Sequence, residues 1–258
     1  MATIKIDGID FEVVVEGPPN APALLLSNSL SSNLHMWDAQ ASAFAQRFRV
    51  VRYDQRGHGR TAAPEGPYSI ARLAQDAVEI LDALGIARAH FCGISMGGMT
   101  GMRLLTHHRS RIDRTVLANT AAHMGPPDLW NARIAAARKG GMEAVADATV
   151  ARWFTQSFRE RAPDRVERVR AMILATPVAG YAACCGAIRD MDQRHAIRAI
   201  DAPVLVILGA HDPATTPVAG EAIHAAIRGS SIVSLDAAHL SNIEKPEAFN
   251  EAVLDFLR

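Results

Sequence analysis

Short apolar or β-branched runs alternating with helix-patterned stretches constrain this chain more than any other feature. The runs are Phe11 to Val15, Ala23 to Leu26, Arg49 to Tyr53, Ala89 to Cys92, Thr115 to Ala118, Val204 to Leu208 and Ser231 to Leu235. Most are too continuously apolar for a sheet with one wet face, so they predict a mostly parallel sheet with helices on both faces, an α/β architecture. The clearest helix covers Ile70 to Leu84, where apolar residues at Ile70, Leu73, Ala74, Ala77, Ile80, Leu81 and Leu84 follow the helical period and Gly85 stops it. Between Ala118 and Val204 the strand pattern disappears. The stretch from Leu129 to Arg198 is rich in Ala and Arg at helical spacing, with breaks at Gly140-Gly141, Pro163 and Pro177. A helical cap inserted over residues 126–198 is expected, set into a core formed by residues 1–125 and 199–258.

At 258 residues and 49% hydrophobic, the chain is long and apolar enough for one large core, and no Ser/Gly/Pro linker or charge block divides it. Lys plus Arg equal Asp plus Glu at 27 each, so no net field favours nucleic acid or an acidic membrane face, and a small-molecule partner is expected. The opening Met1-Ala2-Thr3-Ile4-Lys5-Ile6-Asp7 lacks a basic start followed by an apolar run, and no segment is apolar enough to span a bilayer. A cytoplasmic protein is the expectation. Cys92, Cys184 and Cys185 are odd in number and show no CxxC or Cys/His spacing, so neither a disulfide framework nor a metal or other cofactor is expected. Cys92 ends an apolar run and reads as a small buried thiol rather than a nucleophile.

Gly93-Ile94-Ser95-Met96-Gly97-Gly98 matches G-x-S-x-G, directly between the run ending at Cys92 and a helical run from Met99 to His107. A serine on a sharp strand-to-helix turn needs small neighbours, and the new helix offers its first free N–H groups to a reacting oxygen. Serine also needs a base, and the base a group to fix its tautomer. Asp212 follows the run Val204 to Leu208, and His239 follows Ser231 to Leu235. The order Ser95, Asp212, His239, each just past a strand, is that of the α/β-hydrolase fold, with Ser95 as nucleophile, His239 as base and Asp212 as orienter. His211 and Asp236 are the rejected neighbours: one turn aims only one of two adjacent side chains inward. The oxyanion donors expected are the amides of Met96, after the nucleophile, and Leu30, in the loop after Leu26.

The stretches Ser27-Asn28-Ser29-Leu30, Leu34-His35-Met36-Trp37-Asp38, Arg52 to Gly59, Phe91 to Met99 and Asn119-Thr120-Ala121-Ala122 resemble bacterial 3-oxoadipate enol-lactonases. The likeness continues through Pro177 to Tyr181, Cys184-Cys185 and Ile188 to Asp192, so it runs nearly end to end. It implies hydrolysis of 3-oxoadipate enol-lactone to 3-oxoadipate, in aromatic-compound degradation by the β-ketoadipate pathway. Such a substrate carries a free carboxylate, which a partly apolar pocket accepts only when a cation or several donors meet it. Arg133 lies three residues past Trp130 on one helix face, and this pair is expected over the site. Trp153 is a further candidate to line the pocket, while Arg138, Lys139 and Arg152 read equally well as solvated surface. A general carboxylesterase or perhydrolase, and a hydrolase-fold ligand receptor, are the rival readings.

Overall fold

A computed structural model describes residues 2–258. Eight strands form one sheet in the order β1-β2-β4-β3-β5-β6-β7-β8: β1 Ala2–Ile6, β2 Ile9–Glu16, β3 Ala23–Ser27, β4 Arg49–Tyr53, β5 Ala89–Ile94, β6 Ile112–Ala118, β7 Val204–Gly209 and β8 Ser231–Leu235. The pairs β1/β2 and β2/β4 are antiparallel and every later pair is parallel. Every residue of β3 and β7 is buried, as strands covered on both faces must be, whereas β8 at the edge keeps only Leu235 fully buried. The seven expected strands are present; β1 was not expected.

Helices α1 Asp38–Phe44, α2 Ile70–Ala83 and α3 Met96–His107 precede β6. Ser69 caps α2 by accepting from the Arg72 amide, and the helix buries the apolar stripe read from its period. Five α-helices separate β6 from β7: α4 Pro127–Gly140, α5 Glu143–Trp153, α6 Gln156–Arg161, α7 Pro163–Leu174 and α8 Val178–Arg189. The expected breaks recur as helix ends. Gly141 terminates α4 at φ 70°, Pro163 opens α7, and Pro177 is the N-cap of α8. The break between α5 and α6 lacks a Pro or Gly and is not visible in the pattern. Helices α9 Pro217–Ala226, α10 Ser241–Glu244 and α11 Pro246–Phe256 complete the chain.

Helix α8 sits backbone to backbone on the loop after β4: a Cβ on Gly180 would overlap the Gly57 carbonyl oxygen, and one on Gly57, at φ 77°, would overlap Gly180 Cα. Only two facing glycines allow that approach. No single helix among the described residues is long and apolar enough to cross a membrane.

Candidate active site

Each of the six parallel strands ends at one rim of the sheet, and the loop beyond each end carries a residue of the candidate site. In order these are Leu30 after β3, His58 after β4, Ser95 after β5, Asn119 after β6, Asp212 after β7 and His239 after β8. Open α/β sheets gather their chemistry at this carboxyl edge.

Ser95 sits at φ 57° and ψ −115°, outside the regions an ordinary L-residue favours. The conformation is held from both sides, by the Ser95 amide donating to Ala118 O at 3.0 Å and by Thr120 Oγ1 donating to Ser95 O at 2.7 Å. Gly97 has a steric duty, because a Cβ there would overlap the Ser27 carbonyl of β3. The helix expected from Met99 begins at Met96, and its first amides have no partner within the helix.

His239 Nδ1 lies 2.8 Å from Asp212 Oδ2, and both residues are almost fully buried. Asp212 accepts four further hydrogen bonds: Oδ1 from the Ala214 and Thr215 amides, Oδ2 from Thr215 Oγ1 and Asn119 Nδ2. Burial alone would raise the Asp212 carboxyl, but His239 beside it and the Thr215 bonds hold it below the usual carboxylate range. Among the described residues the imidazole's hydrogen bonds run through Nδ1, to Asp212 and Thr215, and Ser95 and His239 line the same cavity. Trp153 stacks along the imidazole, ring centroids 6.1 Å apart. The rejected neighbours point outward, where His211 Nε2 meets Asp236 Oδ1 at 2.9 Å and both side chains are more than half exposed.

Three of the four amides from Ser29 to Ser32 have partners: Ser29 on Met36 Sδ, Ser31 on His58 Nε2 and Ser32 on Ser29 O. Of these four, only the Leu30 N–H has no partner among the described residues, and Leu30 lines the cavity with Ser95.

Trp130, Arg133 and Trp153 all line the cavity. Trp130 is pinned by donating to Met124 O at 2.8 Å, and the Arg133 guanidinium rests 4.7 Å above its ring centroid. Arg152 departs from the surface reading. It lines the cavity, donates to Thr149 Oγ1, and its affinity for a proton is lowered by burial and by the nearby Arg133 charge. No Asp or Glu lines this cavity to balance the two guanidiniums. Asn119, Thr120, Thr215 and His58, which support these groups, went unassigned in the sequence. The three thiols are buried and unpaired, and burial raises all three, Cys185 to about 12.

A serine on a strained elbow, a buried His-Asp pair and free amides at one sheet edge define a class, and a model of the alpha/beta hydrolase fold matches residues 22–246. Over 251 residues, 97% of this chain and 94% of the relative, the sequence is 41% identical to 3-oxoadipate enol-lactonase 2 of Acinetobacter baylyi. The chain belongs to the α/β-hydrolase family and, within it, to the carboxylic ester hydrolases of the enol-lactonase group. The solved enol-lactonase of Burkholderia xenovorans superposes with a TM-score of 0.98 at 45% identity, covering 99% of each chain. A thermophilic esterase of Thermogutta terrifontis, solved with malate bound, superposes at 0.93 with 27% identity over 99% of this chain and 96% of its own.

Proposed function

We propose that this chain opens 3-oxoadipate enol-lactone to 3-oxoadipate, in the breakdown of aromatic compounds, with residues 126–198 acting as a cap over the reacting centre. Ser95 attacks the lactone carbonyl while His239 takes its proton and Asp212 holds the imidazole in the Nδ1–H tautomer. The Leu30 and Met96 amides receive the tetrahedral oxyanion. When the ring C–O bond breaks, its electron pair stays on the ring oxygen as an enolate, which takes the proton held by His239 and becomes a ketone, leaving the imidazole neutral again. The opened arm remains on Ser95 until water, deprotonated by His239, releases the diacid. The compartment proposed is the cytoplasm, which suits three free thiols.

One observation carries the choice of substrate class: the cavity that holds Ser95 and His239 also holds Arg133 and Arg152, and no acid lines it. Two partly buried like charges without a counter-ion are costly, and a carboxylate-bearing ligand offsets that cost. The enol-lactone carries one such carboxylate on a short arm, and Arg133, fixed on Trp130, is the better placed of the two cations to grip it.

The likeness to a 27% identical esterase favours one other reading, a general esterase on simple esters. Side-by-side kcat/KM of the purified chain on the enol-lactone and on a short-chain aryl acetate decides between them. A strong preference for the lactone is expected; a clear preference for the aryl ester overturns the lactonase assignment.

A further inference from the structure

The Leu30 amide is useful only if its peptide plane is fixed, and the loop that carries it has no regular structure. Planarity makes the aim a matter of two adjacent peptide units. In the first, the Ser29 carbonyl accepts from Ser32 Oγ at 2.8 Å and from the Ser32 amide at 3.3 Å, which sends the Leu30 N–H out on the opposite side. In the second, the Ser31 N–H donates to His58 Nε2 at 2.9 Å. Ser31 itself is left-handed, at φ 58°, a conformation a serine adopts only when its surroundings hold it.

Building on the serine-hydrolase reading, we propose that His58 is a positioning residue for the oxyanion hole, its neutral imidazole pinning the Ser31 amide and so aiming the Leu30 N–H at the reacting oxygen. The tautomer is dictated by the partners. A backbone N–H can only donate, so Nε2 carries no proton, and Nδ1–H donates to the Arg56 carbonyl at 3.2 Å. That carbonyl belongs to a residue which is itself immobile, since the buried Arg56 guanidinium makes two hydrogen bonds to Asp76 of α2, at 2.6 and 2.9 Å. Asp54, two residues earlier, accepts the Leu34 and Arg60 amides and closes the turn. The loop after β4 is thus a rigid bracket, and its one contact with the oxyanion loop through a ring nitrogen is His58, which is fully buried. A protonated ring would present a second donor to the Ser31 amide, and burial holds this one neutral by pushing it down to about 4.

Two variants separate aim from simple packing. In H58Q the amide oxygen reaches as far as Nε2 and keeps an acceptor for Ser31; in H58N it is too short. On a short aryl ester, H58N is expected to lose about 10- to 100-fold in kcat with KM nearly unchanged, and H58Q to recover most of it. Phenylboronic acid, which forms a tetrahedral adduct on the serine, should bind H58N weaker by a similar factor, while adipate, which makes none, should bind as before. Unimpaired kcat in H58N, an H58Q as poor as H58N, or equal losses for the boronate and adipate overturns the proposal. In the unmutated chain, nitrogen-proton spectra at neutral pH should show His58 neutral with its proton on Nδ1, and an imidazolium or the other tautomer also overturns it. Ser95→Ala run in parallel keeps the two readings apart: near-undiminished turnover there removes the serine mechanism, whereas an S95A slowed by several orders of magnitude beside a fully active H58N removes the role of His58 alone.

Discussion

Asp212→Asn changes one atom and should disable the enzyme. Five donors converge on the carboxylate: the Ala214 and Thr215 amides on Oδ1, and Thr215 Oγ1, Asn119 Nδ2 and His239 Nδ1 on Oδ2. The two backbone amides cannot turn round, so the carboxamide oxygen of the variant must stay at the Oδ1 position and its NH2 must replace Oδ2. Thr215 can rotate its hydroxyl to accept. Asn119 Nδ2 cannot accept, which leaves a buried N–H unsatisfied at a stability cost of about 1–3 kcal/mol. His239 can accept at Nδ1 only by moving its proton to Nε2, the nitrogen that should take the serine proton. A base locked in the wrong tautomer costs about 10⁴-fold in kcat, or roughly 5.5 kcal/mol of barrier. Aryl-ester turnover between pH 6 and 9, beside a thermal melt of the same sample, measures both effects. A kcat loss below tenfold in a folded protein would refute the tautomer argument.

Ser95→Ala and His239→Ala should each lower kcat by several orders of magnitude, and the double variant should lose little more than either, as rate measurements on all three will show. Arg133→Gln should reduce kcat/KM on carboxylate-bearing substrates by about 10- to 100-fold, the worth of one or two charge-assisted hydrogen bonds, and leave neutral aryl esters nearly untouched; equal losses on both would remove its assigned role. His58 is held far below its ordinary 6.5, at about 4, so its contribution to stability is complete above pH 6.5 and is lost as the pH falls through 4. The full loss is about 3 kcal/mol. Urea titrations of the unmutated chain and H58Q from pH 7 to 4 should therefore converge at the acid end, and parallel curves would contradict the assignment.

The sheet was legible because burial on both faces writes itself as continuous apolar runs, and Ser95, Asp212 and His239 because each follows one of them. Strand β1 escaped because Ala2–Ile6 is short, alternates with polar residues and pairs antiparallel at the edge. Asn119, Thr215 and His58 escaped for a different reason. Their work is done through single hydrogen bonds across the fold, to Asp212 and to the Ser31 amide, and no periodicity records such a bond. Arg152 stayed open between surface and pocket because α5 carries little apolar striping, which leaves its inward face unmarked. Its neighbours on the same wall, Thr149 and Trp153, both buried, held what signal there was.

The Gly57–Gly180 abutment anchors the helical insertion to the core. With α8 seated directly on the loop that braces His58, that flank of the helical insertion cannot lift without dismantling the bracket beneath it. Helix α4, which carries Arg133, packs directly against α8 and is tied to the core through the same abutment.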